Sequence, residues 1–373
     1  MRKEQQRRKE PPKYDRRCRH LTEADRAAQD ASGTPKVVRF ATPPEGITVF
    51  SDLVRGEISF ENSTLDDFVL LKSDGFPTYH LANIVDDHLM EITHVLRADE
   101  WVSSTPRHVM LYDAFGWRPP LWAHLPMILG PDRSKLSKRH GATSLLEYRD
   151  EGFLPEAMMN FLALLGWSLD DKTELFTREE LVQHFDLERI GKTGAIFNRE
   201  KLEWMDGVYI RGMPADALAG RMIPFLERAL SPNVPRPIST DGLARIVPLV
   251  QDRLKTLADS AELTDFFFEE SVSHDPDLLV QKGADRDSTR SALERVMAAL
   301  QANGDFDAEP LEAIIRPMAE ELGLKTGQLF GAIRVAVTGR TAAPPLFDTM
   351  TALGKERCLA RLTAAVAVLG PSG

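Results

Sequence analysis

The chain has 373 residues, 43% hydrophobic and 27% charged, which suits two to four folded domains and excludes a disordered chain. Its 46 Lys and Arg stand against 56 Asp and Glu, a formal net charge of -10 that excludes a uniformly basic nucleic-acid binder but leaves room for a local basic surface. Two cysteines, Cys18 and Cys358, exclude a disulfide framework, and no apolar run is long enough to span a membrane or act as a signal peptide, so a cytoplasmic protein without membrane contact is expected.

Met1 leads straight into the charged, helix-favouring run MRKEQQRRKE with no capping residue before it, so the chain reads as beginning inside an element. The basic residues between Arg2 and Arg19 suit a solvated helix face. From Val37 to Leu71, the runs VVRF, ITVF and FVLL are separated by Pro, Gly and Asp and predict a small mixed sheet. THVLR at 93–97 is strand-like, and Thr105-Pro106 through Gly116 predicts a helix with an N-cap, an early proline and a terminal glycine. PMIL at 126–129 predicts a further short, buried strand, so residues 79–143 carry the strand, helix, strand order of part of a parallel α/β sheet. From Ser144 the pattern turns helical. Ser144 and Glu147 form a capping-box pair, and Pro155 starts a second helix that Gly166 ends. Residues 215–373 read as amphipathic helices broken by prolines at 232–237 and 344–345. The predicted class is α/β plus all-α.

The sharpest chemical signal is the stretch from Gly130 to Gly141, which contains KLSKRHG. It follows a predicted strand and precedes a capped helix, and α/β sheets bind ligands in loops at strand carboxyl ends. Lys135, Lys138 and Arg139 place three cations on a flexible stretch, which suits charge developing on a leaving pyrophosphate; a solvated basic turn is the bland alternative. Tyr79 and Asn83 lie four apart, so a helix would put them on one face, offering a phenol and an amide. Arg97 closes a strand, where a guanidinium can grip a carboxylate through two parallel hydrogen bonds, and Trp101 can wall the same pocket. His80, Asp87, His88, Glu91 and His94 crowd together like metal ligands, but a solvated or RNA-facing helix surface is the preferred reading and no metal site is expected there.

KLSKRHG resembles the KMSKS signature of class I aminoacyl-tRNA synthetases in the form used by glutamyl enzymes. The resemblance to bacterial-type glutamyl-tRNA synthetases runs on through GFPTYHLANIVDDHLMEITHVLRADEW, TPRHVMLYDAFGW, SLLEYRDEGFLPEAMMNFLALLGWS and the late VAVTGRTAAPPLFD and LGKER. It implies adenylation of L-glutamate by ATP with Mg²⁺, then transfer to tRNA(Glu), by a monomer. It places Lys135, Ser137, Lys138 and Arg139 in catalysis, Lys138 on ATP, Tyr79, Asn83, Arg97 and Trp101 around glutamate and its adenylate, and Arg253 on the anticodon. The fold it implies is the second half of a Rossmann-like nucleotide-binding domain at 79–143. A partial acceptor-stem insertion domain of mixed α+β type at 1–78 precedes it. A helical stem-contact domain at 144–214 and a helical anticodon-binding domain at 215–373 follow.

The sequence departs from that family where the HIGH motif, the early arginine and serine cluster and a glycine-rich opening strand are concerned; it contains none of them. The chain therefore reads as N-terminally truncated and inactive alone, with a non-catalytic tRNA-binding fragment or a decayed copy as the alternative. Cys18 and His20, in YDRRCRH, resemble the later half of a Cys-x-Cys plus Cys-x-His zinc site found in some relatives. A free surface thiol competes with that reading, and zinc is not expected in this chain. A tRNA-modifying paralogue of the synthetase catalytic domain is disfavoured, since that type lacks an anticodon-binding region.

Overall fold

In the segment Ile47–Asp52 (β2), Thr48, Phe50 and Asp52 turn inward while Ile47, Val49 and Ser51 face out. This period of two marks a half-buried strand. The structure, a computed structural model, describes residues 5, 7–9, 13–141 and 144–370. MRKEQQRRKE lies largely outside the described residues. The chain divides into two compact units, residues 1–140 with 162–197 and residues 141–161 with 198–373. The unit boundary at 140/141 lies beside the sequence division at 143/144, and the division at 78/79 falls inside the first unit.

In the first unit, helix α1 (Glu23–Ala31) starts at a Thr22–Asp25 capping box. Strands β1 (Val38–Arg39) and β4 (Val69–Leu71) form an antiparallel pair. β2 and β3 (Gly56–Glu61) form a hairpin with Ile47 opposite Glu61 and Asp52 opposite Gly56. Helix α2 (Tyr79–Leu89), β5 (His94–Ala98), a 3₁₀ turn (Asp99–Ser104), α3 (Thr105–Phe115) and β6 (Leu121–Leu125) follow. The sheet order is β3-β2-β6-β5, with β6 parallel to both β2 and β5. As the central strand, β6 buries Trp122, Ala123 and His124 in succession rather than alternately. Phe50, Ile84, Leu111, Tyr112 and Trp122 form the core between this sheet and helices α2 and α3. Gly116 ends α3 at φ 67°, a left-handed conformation that favours glycine.

The expectation that PMIL is a buried strand of the same parallel sheet is corrected by the structure. Only Ile128–Leu129 (β7) is extended, and it pairs with Ala195–Ile196 (β8), in a separate two-stranded parallel sheet. Ile128 is 36% exposed, so the strand is not buried. Gly194 permits the pairing: a Cβ there would sit 2.7 Å from Leu129 Cδ1 and 3.1 Å from the Met127 carbonyl oxygen. Helix α6 (Arg178–His184), reached after two helices of the other unit, completes this unit with a small core of Trp167, Phe176 and Leu181.

The second unit is helical. The predicted Ser144–Glu147 capping box forms at the start of α4 (Leu145–Asp150), and Pro155 opens α5 (Pro155–Ala163), inside which the unit boundary at 161/162 falls. After α7 (Arg199–Arg211), α8 (Ala215–Ala229) buries Leu218, Ala219, Met222 and Leu226 against α9 (Thr240–Val250), which buries Leu243, Ile246, Val247 and Val250. These spacings give each helix one apolar stripe. Seven further helices follow: α10 (Asp259–Phe268), α11 (Pro276–Leu279), α12 (Arg286–Ala302), α13 (Ala308–Glu321), α14 (Thr326–Thr338), α15 (Leu346–Leu353) and α16 (Lys355–Leu369). No described helix is long and apolar enough to cross a membrane.

Candidate functional site

The three parallel strands bring one polar residue each to their carboxyl ends. Asp52 is the last residue of β2, Arg97 is the penultimate residue of β5 and His124 the penultimate of β6, with Arg97 directly opposite His124 in the register. The carboxyl edge is where side chains of neighbouring parallel strands converge toward a ligand. Asp52 Oδ2 lies 2.5 Å from His124 Nδ1, and both side chains are fully buried. Asp52 also accepts the backbone N–H groups of Val54, Arg55 and His124. It therefore ties the β2–β3 turn to the central strand.

Arg97 stands in front of that pair. Its Nε–H donates to His124 Nε2 at 3.1 Å, Nη2 donates to Thr105 Oγ1 at 2.8 Å, and Nη1 lies 3.5 Å from His108 Nδ1. His108 Nε2 lies 3.0 Å from His80 Nδ1. Burial pushes His108 down to about 3, and the charges of Arg97 and its neighbours add to this. His124 is also held below the usual imidazole range by burial, against the opposing pull of Asp52. These rings are neutral at physiological pH. Thr105 was expected as a helix cap, but Ser104 occupies the N-cap without a side-chain bond, and the buried Thr105 hydroxyl serves Arg97 instead.

The predicted pocket residues gather around Arg97. Trp101 sits on the adjoining 3₁₀ turn, with the Arg97 guanidinium 5.9 Å from its ring centroid and the Tyr79 ring 5.0 Å away. Tyr79 is half exposed at the start of α2. Asn83, one turn on, donates through Nδ2 to Asp87 Oδ2 at 3.1 Å, and its buried Oδ1 has no partner among the described residues. The Asp87 carboxylate fixes that orientation, since it can only accept. Asp87 was expected to be solvated. Instead burial raises its pKa, with Arg97 pulling the other way, so it faces the pocket electrostatically. His88 stacks on Trp117 with ring centroids 3.9 Å apart, and Glu91 and His94 are exposed.

The Gly130–Gly141 stretch, expected to be flexible, folds back on β7. Gly130 N–H donates to Ser134 O, Leu136 N–H to Ile128 O, and Leu129 bridges Lys135. Lys135 Nζ reaches Glu100 Oε2 at 2.6 Å, which sets the loop beside the turn carrying Trp101. Arg139 donates to Asp132 and Ser134, and Ser137 N–H donates to His140 Nδ1. Hydrogen bonds from Ser134 push Asp132 down to about 2, assisted by His140. Exposed Lys138 has no hydrogen bond or ion pair to any described residue. Of the three predicted cations, Lys138 alone projects unpaired.

Arg253 belongs to the second unit, exposed on a 3₁₀ turn (Gln251–Arg253) that Gln251 anchors to the carbonyls of Ile210 and Met213 at the end of α7. Cys18 and His20 are exposed. A cavity of about 870 Å³ opens at the other ends of β5 and β6, lined by Phe50, His88, Ile92, Leu121 and Trp122 among others. It is not where the Arg97 cluster points. Asp52, Thr105, His108 and His124 were missed in the sequence. For Asp52 and His124 the "SD" closing ITVFSD and the "AH" before PMIL were the only local signals; Thr105 and His108 lay in TPRHVMLYDAFGW, where they read as parts of a helix start.

Residues 1–204 match the catalytic domain of class I tRNA synthetases (E and Q), and residues 217–366 match an anticodon binding domain. A glutamate–tRNA ligase of Dehalococcoides mccartyi is 55% identical over 369 residues, covering 99% of this chain and 74% of that protein. One from Roseiflexus sp. is 54% identical over 343 residues, covering 91% and 68%. The crystal structure of a glutamate tRNA ligase from Elizabethkingia meningosepticum, in complex with its amino acid, is similar at a TM-score of 0.84 and 34% identity, covering 99% of this chain and 77% of that one.

Proposed function

The chain belongs to the class I tRNA synthetases, in the group of glutamate–tRNA ligases, and on that premise we propose that its Arg97 cluster holds L-glutamate for adenylation by ATP and transfer to tRNA(Glu). The observation that carries this is a carboxyl-edge pocket combining a guanidinium with no carboxylate partner among the described residues, an Asn83 acceptor without a partner among them, and a loop whose Lys135 is held on Glu100 of the adjoining turn. Arg97 grips one carboxylate of glutamate. Asn83 Oδ1 accepts from the amino group, while Tyr79 and Trp101 wall the side. Lys138 follows the polyphosphate charge as pyrophosphate leaves, with Lys135, Ser137 and Arg139 shaping the loop that presents it. ATP binding follows from the family. Among the described residues no three His, Cys, Asp or Glu side chains gather as a metal cage, so a Mg²⁺ ion would be held chiefly by the phosphates, and no step here depends on it.

The segments 1–78, 144–214 and 215–373 contact the acceptor stem, the tRNA stem and the anticodon in this reading, with Arg253 on the anticodon and the ligase acting as a monomer. This 373-residue polypeptide contains no HIGH motif. We propose that by itself it binds tRNA(Glu) but forms no glutamyl-adenylate, since losing one set of transition-state contacts costs roughly 10²–10³ in rate. The test is glutamate-dependent ATP–pyrophosphate exchange with tRNA(Glu) present, beside a tRNA-binding titration, on this chain and on a full-length relative. Salt-sensitive tRNA binding without exchange is expected. Exchange near the relative's rate would refute the inactivity, and absence of tRNA binding would refute the RNA-binding role.

A further inference from the structure

The protons around Arg97 can be assigned one by one. Arginine carries five N–H donors and no acceptor, and a neutral imidazole carries one donor and one acceptor. His124 must place its proton on Nδ1, facing Asp52 at 2.5 Å, which leaves Nε2 bare to accept the Arg97 Nε–H. Thr105 Oγ1 accepts from Arg97 Nη2, and its own proton has two acceptors at 3.2 Å, the Trp101 carbonyl and the bare His124 Nε2. His108 faces Arg97 Nη1 with Nδ1 and therefore carries its proton on Nε2, directed at His80 Nδ1. Every acceptor that meets the guanidinium is neutral. Asp52 touches it only through His124, and Asp87 is engaged by Asn83. No ion pair to Arg97 exists among the described residues, although burial of an arginine ordinarily demands one.

We propose that His124, Thr105 and His108 are positioning residues that orient Arg97 while withholding a counter-charge, so that its remaining Nη donors, which only the Tyr79 hydroxyl approaches among the described residues, face a single ligand carboxylate. This rests on the glutamate reading for the identity of the ligand, but not for the chemistry. Three fixed bonds set the plane of the guanidinium before the ligand arrives, which lowers the ordering cost of a two-point contact. A protein carboxylate in the same shell would compete for those donors. The shell also selects the chemistry of the guest: an anion restores electroneutrality, whereas the side-chain amide of glutamine does not.

Two variants separate positioning from folding. His124→Asn keeps a donor near Nδ1 for Asp52 and removes the acceptor for Arg97; His124→Gln restores an acceptor near Nε2. His108→Glu supplies the missing counter-charge. The chain is labelled with ¹⁵N and titrated with L-glutamate, glutarate and L-glutamine, following the ring nitrogens and the Arg97 Nε–H by NMR. The unmodified chain is expected to show His124 protonated on Nδ1 alone. L-glutamate and glutarate should shift the Arg97 signal, and L-glutamine should shift it less. The apparent Kd for either dicarboxylate should rise about 10-fold in His124→Asn, recover in His124→Gln, and rise about 10- to 100-fold in His108→Glu. An Nε2-protonated or doubly protonated His124, or dicarboxylate affinity unchanged in His108→Glu, overturns the proposal whatever the ligand, and so does a failure of both dicarboxylates to move Arg97. A response to glutarate without one to L-glutamate supports the carboxylate shell and counts against the glutamate reading instead.

Discussion

Asp206 in α7 is fully buried; its Oδ1 accepts the Leu154 N–H at 2.8 Å, and its Oδ2 has no partner among the described residues. Burial raises its pKa to about 7, with the Leu154 bond opposing and Glu156 and Asp259 adding to the rise. In the unfolded chain an aspartate titrates near 3.9. Between those values the folded state holds a proton that the unfolded state has lost, so stability falls as pH rises from about 4 to about 7 and is level above. The cost of the shift is about 4 kcal/mol near pH 8 and about 1.5 kcal/mol near pH 5. Asp206→Asn abolishes this titration while keeping an acceptor for Leu154. Its unpaired NH₂ adds a penalty of about 1–3 kcal/mol that does not depend on pH. The difference between the two pH values cancels that penalty. Urea unfolding followed by far-UV circular dichroism should therefore show the substitution becoming more favourable by about 2.5 kcal/mol between pH 5 and pH 8. An equal effect of Asp206→Asn at both pH values would refute the reasoning.

Arg361, 1% exposed in α16, donates to the carbonyls of Val337, Phe266 and Glu269 at 2.5, 2.7 and 2.6 Å, tying the ends of α14 and α10 together. Arg361→Met should destabilise the second unit by about 3–5 kcal/mol, read as a lower Tm, and a loss below about 1 kcal/mol would show that water replaces those bonds. Glu100→Gln should leave stability within about 1 kcal/mol, because its bond to Lys135 is exposed, yet release Lys135. Trypsin should then cut after Lys135 faster than in the unmodified chain, and an unchanged rate would mean that the backbone bonds to β7 alone hold the loop.

What the sequence determined by itself is local. The Ser144–Glu147 box, Pro155 at a helix start, Gly116 at a helix end and the shared face of Tyr79 and Asn83 all depend on residues within one or two turns, and all are where the pattern placed them. KLSKRHG and the blocks around it carried the family, because ordered motifs are a property of the string. Tertiary structure decided which strands meet. β2 crosses the expected boundary at 78/79 to join β6, bringing Asp52 against His124 from 72 residues away, while β7 leaves that sheet for β8. Backbone hydrogen bonds between strands do not depend on which side chains flank them, so pairing over such distances leaves no local mark. This pairing set His124 on Asp52 and opposite Arg97, where Thr105 and His108 of α3 also meet the guanidinium. Each of them alone reads as an ordinary polar residue, and only their convergence at the carboxyl edge of one sheet gives them a common purpose.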